Sequence, residues 1–500
     1  MHTLSQHINS NKITIINRSN LEGRLDPLYY NSDLTKFNSG IYKSIPLRSV
    51  VLSFKSGIGA GKQDQAIDEN GIIQIRPTNI DENGFLKFDK NVYLPIEKKI
   101  DRLEVGDVLF NNTNSQELVG KTAILKEEKE LSYSNHITVL KPKRDVLLSE
   151  YLWIILNLYQ KNKIFYAVCT NWNNQSGVGI ELLKSLRIPL PPLESQKQIV
   201  EVYQSAYEQQ KKIEEESEAL LTSIDGYLLD KLGISLPEKD NSLKNRIFIT
   251  QLRQVTGGRF DPKLYDKTTT SLKQAIKETD LKQFKVEKLR TFIVQSLAGD
   301  WGIEHNEENY SQEYEKCLVI RATEFDNDFN LKLDNSRVKF RLIKKDKISK
   351  IDIQENDLLI EKSGGSPDQP VGRIAILTKD ILHNNKISYS NFIHKIRINT
   401  SILNPEYLFC YLKTIHNIKL TESMQSQTNG IRNLIMQNYF NQDIVVPILP
   451  NGDFDLEKQY EIANHIQSLR AKAMLLQQEA KNILDNVKQQ VEQMILGNAY

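Results

Sequence analysis

Residues Arg18–Tyr30 read RSNLEGRLDPLYY, and residues Arg253–Tyr265 read RQVTGGRFDPKLY. Both fit the pattern R-x4-G-R-[LF]-D-P-x-x-Y, so that Arg18, Gly23, Arg24, Asp26, Pro27 and Tyr30 are answered 235 positions later by Arg253, Gly258, Arg259, Asp261, Pro262 and Tyr265. A unit half as long as the chain marks a tandem duplication, not a short-period solenoid.

Working outward, the order of the first half is kept in the second. IQIRPTNI (73–80) is answered by VIRATEF (319–325), GDVL (106–109) by NDLL (356–359), and VGKTAIL (119–125) by VGRIAIL (371–377). SYSN recurs at 132–135 and 388–391, EYL at 150 and 406, GI at 179 and 430, and LE-x-Q at 193–196 and 456–459. Offsets drift between 235 and 263, as expected if insertions fall in loops. Short β-type runs such as VVLSF and DVLF, punctuated by Gly, Asn and Asp, predict α+β globules. Residues 193–233 hold no proline and predict a helix of about 60 Å at 1.5 Å per residue; 456–500 predict a second. The expected organisation is a first domain at 1–192, a long helix at 193–233, a linker at 234–247, a second domain at 248–455 and a second long helix at 456–500.

Ile199, Ala206, Ile213, Leu220 and Tyr227 recur every seventh residue in the first helix, with polar companions. The second helix has a cleaner 4-3 repeat: Ile462, Leu469, Leu476 and Ile483 in one column, Ile466, Ala473, Ala480, Val487 and Met494 in the other. A narrow apolar stripe on two long helices, each placed after a globule, predicts that they pair as an antiparallel coiled coil with pseudo-two-fold symmetry. Ile199, Ile213, Leu220, Leu469, Leu476 and Ile483 are the candidate helix-pairing and partner-binding residues.

Five hundred residues exceed a single core. With 65 basic and 63 acidic residues the chain has no overall field toward nucleic acid, so any such affinity must be local. Three scattered cysteines suggest neither a disulfide framework nor a zinc site. The amino terminus lacks a signal-peptide pattern and Tyr151–Tyr159 is too short to span a bilayer, so a cytoplasmic, membrane-free protein is expected.

Several near-motifs fail on their chemistry. GIGAGKQ (57–63) lacks the Walker spacing and the Ser or Thr that ligates magnesium. DPLY (26–29) lacks the second proline of an amino-methyltransferase motif, and Ser366-Pro367-Asp368 lacks the following carboxylate of a nuclease. The histidines form no ligand-spaced group. No catalytic residue and no bound metal is expected in this chain.

The polar loops between repeated frames are unlike: NNTNSQEL (111–118) against EKSGGSPDQP (361–370), and CTNWNNQSG (169–177) against MQSQTNG (424–430). Asn and Gln pair bidentately with adenine, Arg and Lys with guanine. The candidate DNA-contacting residues are Lys62, Arg76, Asn111, Asn114, Asn173 and Gln175 in the first half, and Lys362, Ser363, Gln425, Gln427 and Arg432 in the second. Lys332, Arg337, Lys339, Arg341, Lys344, Lys345 and Lys347 form a basic stretch suited to phosphate contacts.

Two R-x-D-P strings, the I-R-x-x-N-I run ending at Ile80, the GDVL and VGKTAI pair, and IPLPPLESQKQI (188–199) together resemble the specificity subunit of type I restriction-modification enzymes over nearly the whole chain. The second copy departs from this pattern, with an insertion between its prolines and LE-x-Q. The resemblance implies two target recognition domains, each reading one part of a split, asymmetric sequence in double-stranded DNA through the major groove. It also implies paired helices that set the spacing and dock two modification (methyltransferase) subunits. S-adenosylmethionine would be bound by those partners, and ATP and magnesium by separate restriction subunits. A coiled-coil interaction scaffold without DNA, or the same architecture in another bacterial defence or methylation system, are the alternatives.

Overall fold

The computed structural model describes residues 40–66, 70–96, 100–172, 175–238, 264–305, 312–326, 328–334, 337–365, 370–428 and 431–497, with Arg18, Phe37, Ser242, Ile247 and 249–252. Both R-x-D-P strings and the Ser366-Pro367-Asp368 string lie outside the described residues. The chain forms two compact units, one of residues 1–214 with 477–500, the other of residues 215–476. The cuts fall within the long helices, so each helix contributes a part to each unit.

In the first unit an antiparallel sheet has the order Val51–Ser56, Ile137–Pro142, Val108–Asn111, Thr122–Ile124. A smaller sheet joins Tyr93–Leu94, Ile72–Ile75 and Leu131–Tyr133, the last two parallel. The helix Ser149–Lys161 buries Tyr151, Leu152, Ile155 and Tyr159 against the larger sheet. The hairpin Thr170–Trp172 and Gln175–Gly177 adds the short strand Thr113–Asn114. Ser44–Pro46 pairs with Arg187–Pro189.

The second unit repeats this order. Its larger sheet runs Ile293–Ala298, Ile393–Ile398, Leu358–Glu361, Ile374–Ile376, and its smaller one Ile303–Glu304, Lys339–Lys344, Tyr314–Ile320, Ile387–Tyr389, again ending in a parallel pair. The helix is Pro405–Asn417, the hairpin Gln425–Thr428 with Ile431–Leu434, and the outer pair Phe284–Lys288 with Asp443–Pro447. Even the register shift recurs, at Val51/Ser53 and Ile293/Gln295.

Physical reasons stand behind the repeated strings. In the EYL repeats, the Tyr151 hydroxyl donates to the Pro189 carbonyl at 2.8 Å and that of Tyr407 to the Val445 carbonyl at 2.6 Å, tying helix to outer strand. Each buried ring is worth about 2 to 3 kcal/mol of transfer and each hydrogen bond about 1. In GD and ND, Gly106 and Asn356 have left-handed φ of 90° and 67°. Gly and Asn bear that conformation at least cost. The turn lets the next carboxylate accept the amide three residues back, Asp107 from Glu104 and Asp357 from Gln354.

The first long helix is Leu193–Lys231 and the second Leu456–Leu496. In the second unit Ser217 Oγ donates to the Ala473 carbonyl at 3.0 Å and the Tyr227 ring lies 4.2 Å from that of His465, so the helices run antiparallel there. In the first unit Ile199, Val200 and Tyr203 share a core with Leu484, Val487, Val491 and Ile495. The buried column of the second helix is Ile466, Ala473, Ala480, Val487; Leu469, Leu476 and Ile483 flank it, half-buried. Among the described residues no helix is long and apolar enough to cross a membrane.

The starts of the helices explain LE-x-Q. Gln196 is fully buried; its Oε1 accepts the Leu148 amide at 2.9 Å and its Nε2 donates to the Val146 and Pro191 carbonyls. Gln459, also fully buried, accepts the Asn404 amide at 2.8 Å and donates to the Ile402 carbonyl. Each amide fastens a long helix to the start of its unit's buried helix.

The two copies differ in how they treat the buried aspartate. Asp357 and Lys395 both have 0% side-chain exposure and lie 3.1 Å apart, with Arg397 on the same carboxylate at 2.7 Å. Burial holds the Lys395 pKa below its usual value in spite of the pairing. Asp107 pairs with Lys141, which is 39% exposed, and burial raises its pKa. Removing one partner of a buried pair leaves an uncompensated charge. Asp357→Asn is therefore expected to cost about 3 to 5 kcal/mol in chemical denaturation, and Asp107→Asn clearly less, because Lys141 can turn to water.

Candidate nucleic-acid interface

One end of the larger sheet gathers the polar loops of each unit. In the first unit Val51–Ser56 leads into loop 57–66, Val108–Asn111 into loop 112–121, and the hairpin 170–177 is stitched on through Ser176↔Asn114 and Gly177↔Thr113. Asn112 is the fastener: its Nδ2 donates to Thr138 Oγ1 at 2.7 Å and to the Asn135 carbonyl at 3.3 Å, and its Oδ1 accepts from Thr113. In the second unit the same end gathers loop 299–305, loop 362–365 and the hairpin 425–434. The Gly364 amide donates to the Arg432 carbonyl and the Leu434 amide to that of Lys362.

The failed phosphate loop has a structural role here. A Cβ at Gly57 would lie 2.1 Å from the Tyr133 carbonyl oxygen, and one at Gly299 would lie 2.2 Å from that of Tyr389. Glycine lets the outgoing strand pass directly over the repeated SYSN segment, which aims the following loop outward.

The structure sorts the candidate residues. Lys62, on a short 3-10 turn, and Gln175, on the hairpin, are exposed at this end; Asn114 is half-exposed beside them. Lys362 and Arg432 are half-exposed at the equivalent end of the second unit. Asn173 lies outside the described residues, and of Gln427 only the backbone, on Gln425–Thr428, is described.

Three candidates are corrected. Asn111 is fully buried as the last residue of its strand, its Nδ2 donating to the Leu118 carbonyl, so it offers no edge to a base. Ser363 is buried and its hydroxyl is spent on Asn433 Oδ1. Gln425 is buried and donates to the Val371 carbonyl. Arg76 is half-exposed, like Lys362 and Arg432, and also braces loop 57–61 by donating to Gln74 Oε1 at 3.1 Å and the Ala60 carbonyl at 3.0 Å. Ile199 is corrected likewise as a partner contact, because it is buried within the core of its own unit. Ile213, Leu220, Leu469, Leu476 and Ile483 are half-buried along the helices.

Sequence reading also missed residues. Trp172 and Phe392 are about half exposed at this end of the first and second units. Phe392 follows the second SYSN directly, where His136 follows the first. That difference at one repeat position was the available signal. Beneath the loops lies a buried cation, Lys121 or Arg373. Lys121 donates to the Ile80 carbonyl, and Arg373 to Phe325, Ala322 and the Glu361 carboxylate. Burial lowers the Lys121 pKa.

Two copies of one frame, presenting unlike side chains at the equivalent end, define a duplicated recognition protein. Residues 58–223 match the family model described as Type I restriction modification DNA specificity domain. Over 102 residues the chain is 38% identical to a protein named as the type I restriction enzyme MjaX specificity subunit of Methanocaldococcus jannaschii, covering 20% of this chain and 24% of that protein. Over 453 residues it is 22% identical to the type I restriction enzyme EcoKI specificity subunit of Escherichia coli, covering 88% of this chain and 84% of that protein. A crystal structure of a type I restriction-modification system S subunit from M. genitalium aligns over 92% of this chain and 97% of that one, at 12% identity and a TM-score of 0.42. The resemblance read from the motifs is thus borne out: residues 58–223 match the type I restriction-modification DNA specificity domain, and the chain is similar over most of its length to a type I specificity subunit.

Two outcomes test this assignment of roles. Asn111→Ala is expected to lower stability by about 1 to 3 kcal/mol, as a buried hydrogen-bonded group lost, with bound-sequence preference unchanged. Gln175→Ala is expected to leave stability unchanged and to relax the preference by about 1 to 3 kcal/mol in competition binding. A further outcome concerns pH. His394, hydrogen-bonded to Ser296 Oγ at 2.7 Å, has its pKa depressed from the usual 6.5 to about 4, first by burial and then by Lys362. The unfolded chain takes up this proton before the folded one, so stability falls as pH drops from 6.5 toward about 4. His394→Asn should flatten that part of a urea-midpoint against pH curve.

Proposed function

We propose that the chain reads two unlike parts of a split sequence in double-stranded DNA, one with each unit, and acts as the non-catalytic, targeting subunit of a methylating and restricting complex. The observation that carries this reading is the equivalence of the two loop ends combined with the inequality of their side chains. Gln175 and His136 stand where the second unit has Ile431 and Phe392, and Asn114 where it has Gly364. Short polar and aromatic side chains on a rigid frame suit base edges in the major groove, while the shared buried residues keep both frames alike.

The paired helices then hold the two readers together and offer their outward faces to two modification subunits. Those partners would bind S-adenosylmethionine and methylate the DNA; ATP and magnesium would belong to restriction subunits. This chain's share of the chemistry is positioning, which converts two short, individually weak recognition events into one linked event.

The test is a domain exchange. Replacing residues 44–190 with the corresponding domain of another specificity subunit should change one half of the methylated sequence, mapped genome-wide, and leave the other half and the spacer intact. A change in both halves, or in neither, contradicts the reading.

A further inference from the structure

We propose that the second unit also carries a phosphate-holding surface that the first unit lacks, formed by Lys316, Lys344 and Lys345, and that its ligand is the sugar-phosphate backbone of duplex DNA. The inference rests on the DNA-reading function proposed above.

The duplication supplies its own control. Equivalent segments begin after the bridges Ile80↔Leu86 and Phe325↔Leu331 and end at the amides of Glu104 and Gln354, each held by the buried aspartate. Residues 87–104 contain five basic and four acidic residues; residues 332–354 contain eight basic and three acidic. In the first unit the acidic groups are engaged locally: Lys87 with Asp89 at 3.9 Å, Lys55 with Asp101 at 2.8 Å, and Lys141 with Glu104 at 2.6 Å. In the second unit Lys316, Lys344 and Lys345 are all exposed, and among the described residues none of them is in an ion pair. The corresponding strand pair, Ile72–Ile75 with Tyr93–Leu94, forms without this charge in the first unit, so the pairing itself does not require it.

The lysines are also held in place. Lys344 lies opposite Tyr314 and Leu342 opposite Lys316 in the ladder, which makes the two lysines diagonal neighbours on adjoining strands. Lys316 Nζ sits 5.2 Å from the centre of the Phe340 ring, which is 45% exposed, and Lys344 Nζ 5.9 Å from that of Tyr314. Cations over ring faces are oriented while remaining solvated. Like charges on adjoining strands repel, and a polyanion laid across them relieves that repulsion and releases its own counterions.

Position favours DNA over an acidic protein. A Cβ at Gly364, in a recognition loop, would lie 3.6 Å from Ala322 Cβ, and neighbouring Arg321 donates to the Arg337 carbonyl just ahead of the basic strand. The lysine-bearing strand therefore starts beside the reading end of its own unit, and a duplex engaged there passes within reach of it.

The test uses the full chain in its assembled complex, with a duplex carrying its methylation target and a scrambled duplex, titrated between about 50 and 200 mM salt. The variant carries Lys316→Gln, Lys344→Gln and Lys345→Gln; the control carries Lys87→Gln, Lys90→Gln and Arg102→Gln in the first unit. The variant should weaken both duplexes by the same factor and flatten the slope of log affinity against log salt by about 2 to 3, at about 0.9 per phosphate contact. Its melting temperature and target-to-scrambled ratio should stay as in the wild type, and the control should keep the wild-type slope. An unchanged slope in the variant, or an equal loss in the control, overturns the proposal; an unchanged slope with impaired complex assembly would assign the surface to an acidic protein instead. A wild type with no preference for the target would overturn the two-reader function, whereas the slopes would still decide the lysines.

Discussion

Two buried glutamine amides carry the connection on which the architecture depends. Gln196 and Gln459 each sit at the start of a long helix and bond backbone groups of the segment that opens the unit's buried helix. A long helix is a strut only if its first turn cannot swivel. A satisfied, fully buried amide provides that rigidity, since breaking it strands amide and carbonyl groups away from water. An apolar residue of similar size would fill the space and leave those groups unpaired.

The frames tolerate substitution in their interiors as long as buried charged groups keep a polar partner. Lys121 below the first reading end satisfies a carbonyl beside neutral Asn111; Arg373 in the same place is paired with Glu361, the counterpart of Asn111. A carboxylate without a cation there, or a second cation without a carboxylate, would place an unpaired charge in a dry site. The same matching governs Asp107 with a solvated Lys141 and Asp357 with buried Lys395 and Arg397. Polar interiors of this kind fix strand register, because a one-residue slip would separate every pair at once. The loops carry no such constraint and are free to differ.

How far the site could be read from sequence varies residue by residue. Lys62 and Gln175 stand exposed at the reading end, whereas Asn111 belongs to the interior, although Asn111 and Asn114 lie three residues apart in one polar string. The strand Val108–Asn111 is buried on both faces, so its last residue is enclosed whatever its polarity, and composition gives no sign of where a buried strand ends. Ser363 and Gln425 were misplaced for a related reason: their partners, Asn433 and Val371, are distant in sequence. In the helices the seven-residue period was legible, but not which column faces inward. The alanines of the second helix permit close approach and take the interior, and the larger Leu469, Leu476 and Ile483 are turned to its edges.

The duplication, the α+β class, the two long helices and the family resemblance were determined by the sequence alone, because they rest on local signals: repeated strings, turn residues and apolar period. Tertiary structure alone decided which polar side chains are free to meet a ligand. That choice depends on burial and on partners distant in sequence, and a hydrogen-bonding group looks the same in sequence whether it is satisfied by its own fold or left open to another molecule.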